Sequence, residues 1–228
     1  MHYLDCTDEN QFIADLNTVP EGVWQRCQLL HLCSPGNPTG AVMSIAQLQQ
    51  AIALADKYDF LIASDECYSE IYLDEDNPPP GLLDACAQLG RTDYARCVVF
   101  HSLSKRSNLP GLRSGFVAGD ATLLQRFLQY RTYHGCAMSL SVQAASTAAW
   151  RDEQHVIENR RLYADKFAAV TDILRPVLNF PTPQASFYLW AETPIDDRDF
   201  AKGLFAQENV TLLPGQYLSR DSAQGNPG

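Results

Sequence analysis

The chain has 228 residues, 46% of them hydrophobic and 19% charged, which suits one globular domain or one domain with a smaller companion. No run approaches the length of a membrane span, and the opening MHYLDCTDENQF has neither the basic nor the apolar part of a secretion signal. Seventeen Lys and Arg against 27 Asp and Glu give a formal charge of −10, which opposes phosphate backbones and points to a small ligand rather than nucleic acid.

Apolar runs alternate with helical patterns over the first half, the signature of a parallel sheet with crossover helices. Leu29 to Cys33 reads as a strand that enters the turn Ser34-Pro35-Gly36-Asn37-Pro38-Thr39-Gly40. A helix follows: Ser44 with Gln47 forms a capping-box pattern, and Ile45, Leu48, Ile52 and Ala55 then share one face. Phe60 to Ser64 is a second strand with Asp65 at its carboxyl end, and Cys97 to His101 is a third with Ser102 to Lys105 just beyond it. Between these two lie the bend Pro78-Pro79-Pro80-Gly81 and a short helix.

Arg113 to Gly119 is expected as a fourth strand, and residues 121–178 as mostly helical with a break at Gly135. Ala185 to Trp190 and Val210 to Leu213 have strand propensity, with a helix from Asp197 to Glu208 between them. The expected organisation is an α/β region over 1–130, connecting helices over 131–169 and a smaller α+β domain over 170–228. Cys6, Cys27, Cys33, Cys67, Cys86, Cys97 and Cys136 form no C-x-x-C pair, so buried thiols in a reducing cytoplasm are expected, and no metal site.

Three strand ends deliver polar residues: Asn37, then Asp65 and Tyr68, then Ser102 and Lys105. Ligands of open α/β sheets bind outside the carboxyl ends of the strands, so these groups could share one crevice. Ser102-Leu103-Ser104-Lys105 fits the S-x-x-K signature of penicillin-recognising enzymes, but no K-T-G follows and Pro110-Gly111 stops a long helix from opening at the serine. No G-x-x-x-x-G-K-[ST] or G-x-G-x-x-G loop is present either. A lysine that forms a Schiff base beside a phosphate bound by Ser102 and Arg113, with Asp65 opposite a pyridine nitrogen, describes pyridoxal phosphate.

Residues 34–40, then Asp65-Glu66-Cys67-Tyr68, then Ser102 to Lys105 followed by Gly111-Leu112-Arg113-Ser114-Gly115, resemble in order and spacing the fold type I aminotransferases of class I/II. The resemblance implies that Lys105 binds the cofactor covalently and shuttles the proton. It implies that Asp65 pairs with the pyridine nitrogen, that Asn37 and Tyr68 hydrogen-bond the phenolic oxygen, and that Ser102 and Arg113 hold the phosphate.

The longer runs Ser102 to Asp120, Cys67 to Tyr72 and Tyr130 to Cys136 resemble the succinyldiaminopimelate branch of that family. This implies glutamate and N-succinyl-2-amino-6-oxopimelate as substrates, and a cytoplasmic homodimer. Arg131 and Tyr133 are further substrate candidates, with a helix-surface role the plainer reading.

Family members also carry an upstream phosphate loop with a ring-stacking aromatic residue, and a downstream arginine for the substrate carboxylate. Neither is found here, and Arg220 comes too soon after Pro214-Gly215 to match, so a chain truncated at both ends is expected. Another class I/II amino-acid aminotransferase, a pyridoxal phosphate lyase using the same lysine, or a non-catalytic remnant stand as alternatives.

Overall fold

The computed structural model describes residues 1–219, so Arg220 and the terminal loop sequence lie outside the described residues. Four strands form one sheet: β1 (Leu29–Cys33), β2 (Leu61–Asp65), β3 (Cys97–Ser102) and β4 (Gly115–Gly119), in the order β1-β2-β3-β4. The helices are α1 (Glu21–Trp24), α2 (Ile45–Tyr58), α3 (Leu82–Gln88), α4 (Leu103–Arg106), α5 (Ala121–His134), α6 (Leu140–Arg151), α7 (Gln154–Leu174) and α8 (Asp197–Glu208).

The architecture is α/β with a mostly parallel sheet. β1 pairs with β2 and β2 with β3 in parallel, with Leu29 opposite Leu61 and Cys33 opposite Asp65. The crossovers between these strands run through α2 and α3, as a parallel pair requires. β4 is antiparallel to β3, with Ser102 opposite Gly115. The connection is short, only α4 and a 3-10 turn at Pro110–Leu112, so the chain reverses instead of crossing over. Arg113, expected inside the fourth strand, instead ends that 3-10 turn in the left-handed conformation at φ 54°.

Chain punctuation explains α2. Ser44 Oγ accepts from Gln47 N at 3.3 Å while Gln47 Oε1 accepts from Ser44 N at 2.8 Å, satisfying donors that a helix start leaves free. Asp59, at φ 57°, closes the helix. Leu48, Ala51, Ile52 and Ala55 are buried on its inner face, against β2 and α3, in a core that also holds Leu30, Leu32, Trp24, Phe60, Ile62, Leu82 and Val99. Trp24 stacks on Phe60 with centroids 5.4 Å apart. β1 is buried on one face: Leu30 and Leu32 face this core, while Leu29, His31 and Cys33 are exposed.

The described residues divide into two compact units, residues 1–169 with 182–189, and residues 170–181 with 190–219. In the second, Asp196 caps α8 by accepting from Arg198 N at 3.1 Å, and Asn209 ends it at φ 57°. Two expected strands do not form. Ala185 to Trp190 makes only a single bridge, Tyr72 with Ala185, and Val210 to Leu213 pairs with nothing among the described residues. Strand propensity reports how a side chain suits a half-buried pleat, and without a neighbouring backbone to pair with it makes no strand. The smaller unit is therefore helical among its described residues, with one isolated bridge between Asn179 and Glu192.

Candidate active site

The parallel strands β2 and β3 end side by side, and their carboxyl ends carry the chemistry. Asp65 is the last residue of β2 and is exposed, while Glu66 beside it is buried. The two carboxylates do different work. Glu66 Oε1 accepts from Leu82 N at 2.8 Å, pinning the start of α3, and Glu66 Oε2 lies 3.4 Å from His101 Nε2. Asp65 Oδ1 accepts from Cys67 N at 3.0 Å, which shapes the turn leading to Tyr68. Burial, then the Asp65 carboxylate, pushes the Cys67 thiol up to about 12.

Tyr68 is only 5% exposed. Burial, then its neighbour Tyr188, holds its hydroxyl protonated well above the usual phenol range, so at neutral pH it is a hydrogen-bond donor. Lys105 sits in the single turn α4 at the end of β3, with Nζ 5.4 Å from the centroid of Tyr68 and 4.6 Å from that of Phe187. Among the described residues these two ring faces are its cation contacts, and it forms no ion pair.

Ser102 caps α4. Its Oγ accepts from Ser104 N at 3.1 Å and donates to Ser104 Oγ at 2.9 Å or to Ser114 O at 3.2 Å. Leu103 N donates to Ser114 O, so the Lys105 turn and the segment after Arg113 are tied together. The Arg113 side chain is exposed, with Nη1 donating to Pro110 O at 2.9 Å. Gly115 is required by packing: a Cβ there would lie 2.5 Å from His101 O.

Asn37 is exposed in the loop after β1. The structure joins its loop to the Tyr68 loop through one intermediary: Ala185 N donates to Gly40 O at 3.3 Å and Ser186 N to Ile71 O at 2.8 Å. Tyr68 and Lys105 are thus brought into contact, Ser102 and Arg113 share one tied turn, and Asn37 stands on an adjoining loop. Arg131 and Tyr133 are both exposed on α5, on the helix surface.

The donor set fits pyridoxal phosphate. An exposed carboxylate, a protonated phenol, an amine and an exposed guanidinium lie at consecutive strand ends, and the charges match a ring cation and a phosphate.

Sequence reasoning missed Phe187 and Arg106. Arg106 is buried against the face of Trp150 at 5.1 Å, donates to Ala149 O at 3.0 Å and pairs with Glu153. An arginine directly after the lysine, too close to the apolar strand to be a free surface charge, was the available signal.

The comparisons agree with this geometry. The model of the family described as Aminotransferase class I and II matches residues 1–224. A crystal structure of an aminotransferase from Neisseria meningitidis is 54% identical with a TM-score of 0.91, covering 99% of this chain and 57% of its own. A probable N-succinyldiaminopimelate aminotransferase from Thermus thermophilus is 29% identical with a TM-score of 0.82, covering 95% of this chain and 56% of its own. An LL-diaminopimelate aminotransferase from Nitratidesulfovibrio vulgaris is 32% identical over 100% of this chain and 57% of its own length. The chain thus spans a little over half the length of the relatives it matches. From its strand-end lysine to the reach of these matches, the chain belongs to the pyridoxal phosphate-dependent aminotransferases of class I and II.

Proposed function

We propose that the chain serves transamination between N-succinyl-diaminopimelate and 2-oxoglutarate, giving N-succinyl-2-amino-6-oxopimelate and glutamate, with Lys105 as the catalytic residue. The observation that carries the reading is Lys105 Nζ at the end of β3, held at 5.4 Å from the ring of Tyr68, which follows β2. The diaminopimelate skeleton is supported by the names of two relatives, which differ over the succinyl group. In this reading residues 1–130 belong to the cofactor-binding domain, 131–169 connect, and 170–228 belong to a small domain of a cytoplasmic homodimer.

When bound, pyridoxal phosphate supplies an electron sink for the bond broken at the substrate α-carbon. Asp65 would hold the ring nitrogen, and a carboxylate beside it would favour that nitrogen's protonated form. Tyr68, held protonated, and Asn37 donate hydrogen bonds to the phenolic oxygen. Ser102 and Arg113 bind the phosphate, Arg113 with a fork of donors that matches two oxygens. Lys105 anchors the cofactor and moves the proton at Nζ, while the Tyr68 ring shields that atom from water on one side.

The test is an absorbance spectrum of the purified chain with pyridoxal phosphate, before and after glutamate, beside Lys105→Ala. A visible band that needs Lys105 and bleaches with glutamate supports transamination, and a faster bleach with N-succinyl-diaminopimelate than with diaminopimelate supports the succinyl preference. A folded sample with no Lys105-dependent band overturns the reading in favour of a non-catalytic relative. A band that glutamate leaves intact points to lyase chemistry on the same lysine.

A further inference from the structure

Lys105 meets a second ring, and the way that ring is held is unusual. Phe187 lies with its centroid 4.6 Å from Lys105 Nζ. Tyr163 of α7 stacks on it at 5.8 Å and 15°, while Tyr188 and Tyr68 tilt against it at 4.5 Å and 5.4 Å. The ring therefore has aromatic neighbours that fix its position and leave a face to the ammonium.

The backbone carrying Phe187 is fixed as firmly. Ala185 and Ser186 are fully buried, and hydrogen bonds tie this segment to both flanking loops: Ala185 N to Gly40 O, Ser186 N to Ile71 O, and Val42 N to the Gln184 side chain at 3.3 Å. A Cβ on Gly40, itself at φ +72°, would collide with Ala185 O. Ser186 is held at φ 73° and its buried hydroxyl has no hydrogen-bond partner among the described residues. Strain and an unsatisfied polar group at one residue persist only where the surroundings over-determine them, and such residues cluster at functional sites.

From this geometry we infer that Phe187 is a positioning residue, whose ring face holds and shields the Lys105 ammonium, and that the strained Ser186 turn exists to aim that ring. A cation over an aromatic face is attracted by the ring quadrupole, an interaction that aliphatic side chains of similar size cannot supply. The inference rests on the reading of Lys105 as the reacting lysine, yet its test works without the cofactor.

The experiment measures trinitrobenzenesulfonate labelling of Lys105 in the full chain, free of pyridoxal phosphate, by mass spectrometry of its peptide. The exposed Lys57 and Lys202 serve as internal references. Phe187→Leu should speed labelling of Lys105 about fivefold relative to those lysines, and Phe187→Tyr should restore the slow rate. Should Phe187→Leu lose its far-ultraviolet helix signal, Tyr163→Leu, which removes the ring behind Phe187 together with a 3.4 Å hydrogen bond to Asn108 Oδ1, takes its place and should give a smaller acceleration. Equal rates in wild type and the leucine variant, or a tyrosine variant as fast as leucine, overturns the inference. The expected labelling pattern without any cofactor band in the wild type would sink the transaminase reading alone.

Discussion

Arg160 and Glu75 form a two-point pair within the first unit, with Nε to Oε1 at 2.7 Å and Nη2 to Oε2 at 3.0 Å. The same guanidinium reaches Glu70 at 3.1 Å and lies 4.5 Å from the centroid of Tyr72. One buried cation on α7 thus holds the loop that begins at Tyr68. Replacing it with methionine should cost about 2 kcal/mol, because the two carboxylates are part-exposed and regain water while the loop loses its clamp. Urea unfolding at neutral pH measures this.

The pair also sets an acid limit. The hydrogen bonds from Arg160 hold Glu75 below its ordinary range, so its stabilisation is full above the unfolded glutamate pKa and fades as pH falls through the lower, folded value. Glu75→Gln should be less stable than wild type at pH 7, and the difference should close below about pH 4. A gap that widens in acid would contradict the pairing.

Four residues cannot sustain α4 unaided, because helix nucleation fixes several dihedrals for a single hydrogen bond. The turn is held from outside, by Arg106 to Ala149 O and Glu153, by Ser107 with His155 at 2.8 Å, and by Asn108 with Asn159 at 2.7 Å. Arg106→Ala leaves a void against Trp150 and a carbonyl without its donor. It should cost about 3 kcal/mol in urea titrations and weaken pyridoxal phosphate binding by at least tenfold, through displacement of Lys105. A variant that unfolds like wild type would show that α4 is held elsewhere.

Much of this site was legible because its markers are local. Asp65, Tyr68, Ser102 and Lys105 each lie within a few residues of a strand end, and the Ser44 capping box needs only adjacent positions. Arg113 was singled out by its motif but placed wrongly in a strand, since the 3-10 turn at Pro110–Leu112 depends on how α4 is packed. Phe187 was hidden for the opposite reason. Its segment reads as a strand from its own residues, and only pairing at a single bridge, set by loops far away in sequence, turns it into a turn beneath Lys105.

Cys67 offers a probe of the charges around Lys105. Its thiol is raised by burial first and by Asp65 next, and lowered by Lys105. Asp65→Asn should therefore speed iodoacetamide alkylation of Cys67, by about tenfold for each unit the pKa falls. Lys105→Met should slow it. Rates measured at pH 9 on the Cys67 peptide decide the matter, and two variants moving in the same direction would show that the three groups do not share one field.

Ser186 is the position where substitution should improve stability. Its backbone sits at φ 73° and its buried hydroxyl lacks a partner, two costs that a glycine removes together, since glycine adopts positive φ freely and carries no polar side chain. Against this, glycine loses more chain entropy on folding, so the net gain in Ser186→Gly should be about 1 kcal/mol. Ser186→Ala should gain less, because it removes the hydroxyl but keeps the strain. Thermal unfolding of both variants should rank glycine above alanine above wild type. If the serine hydroxyl were in fact needed, both variants would melt below wild type, and the turn that carries Phe187 would owe its shape to that oxygen rather than to the backbone bonds of Ala185 and Ser186.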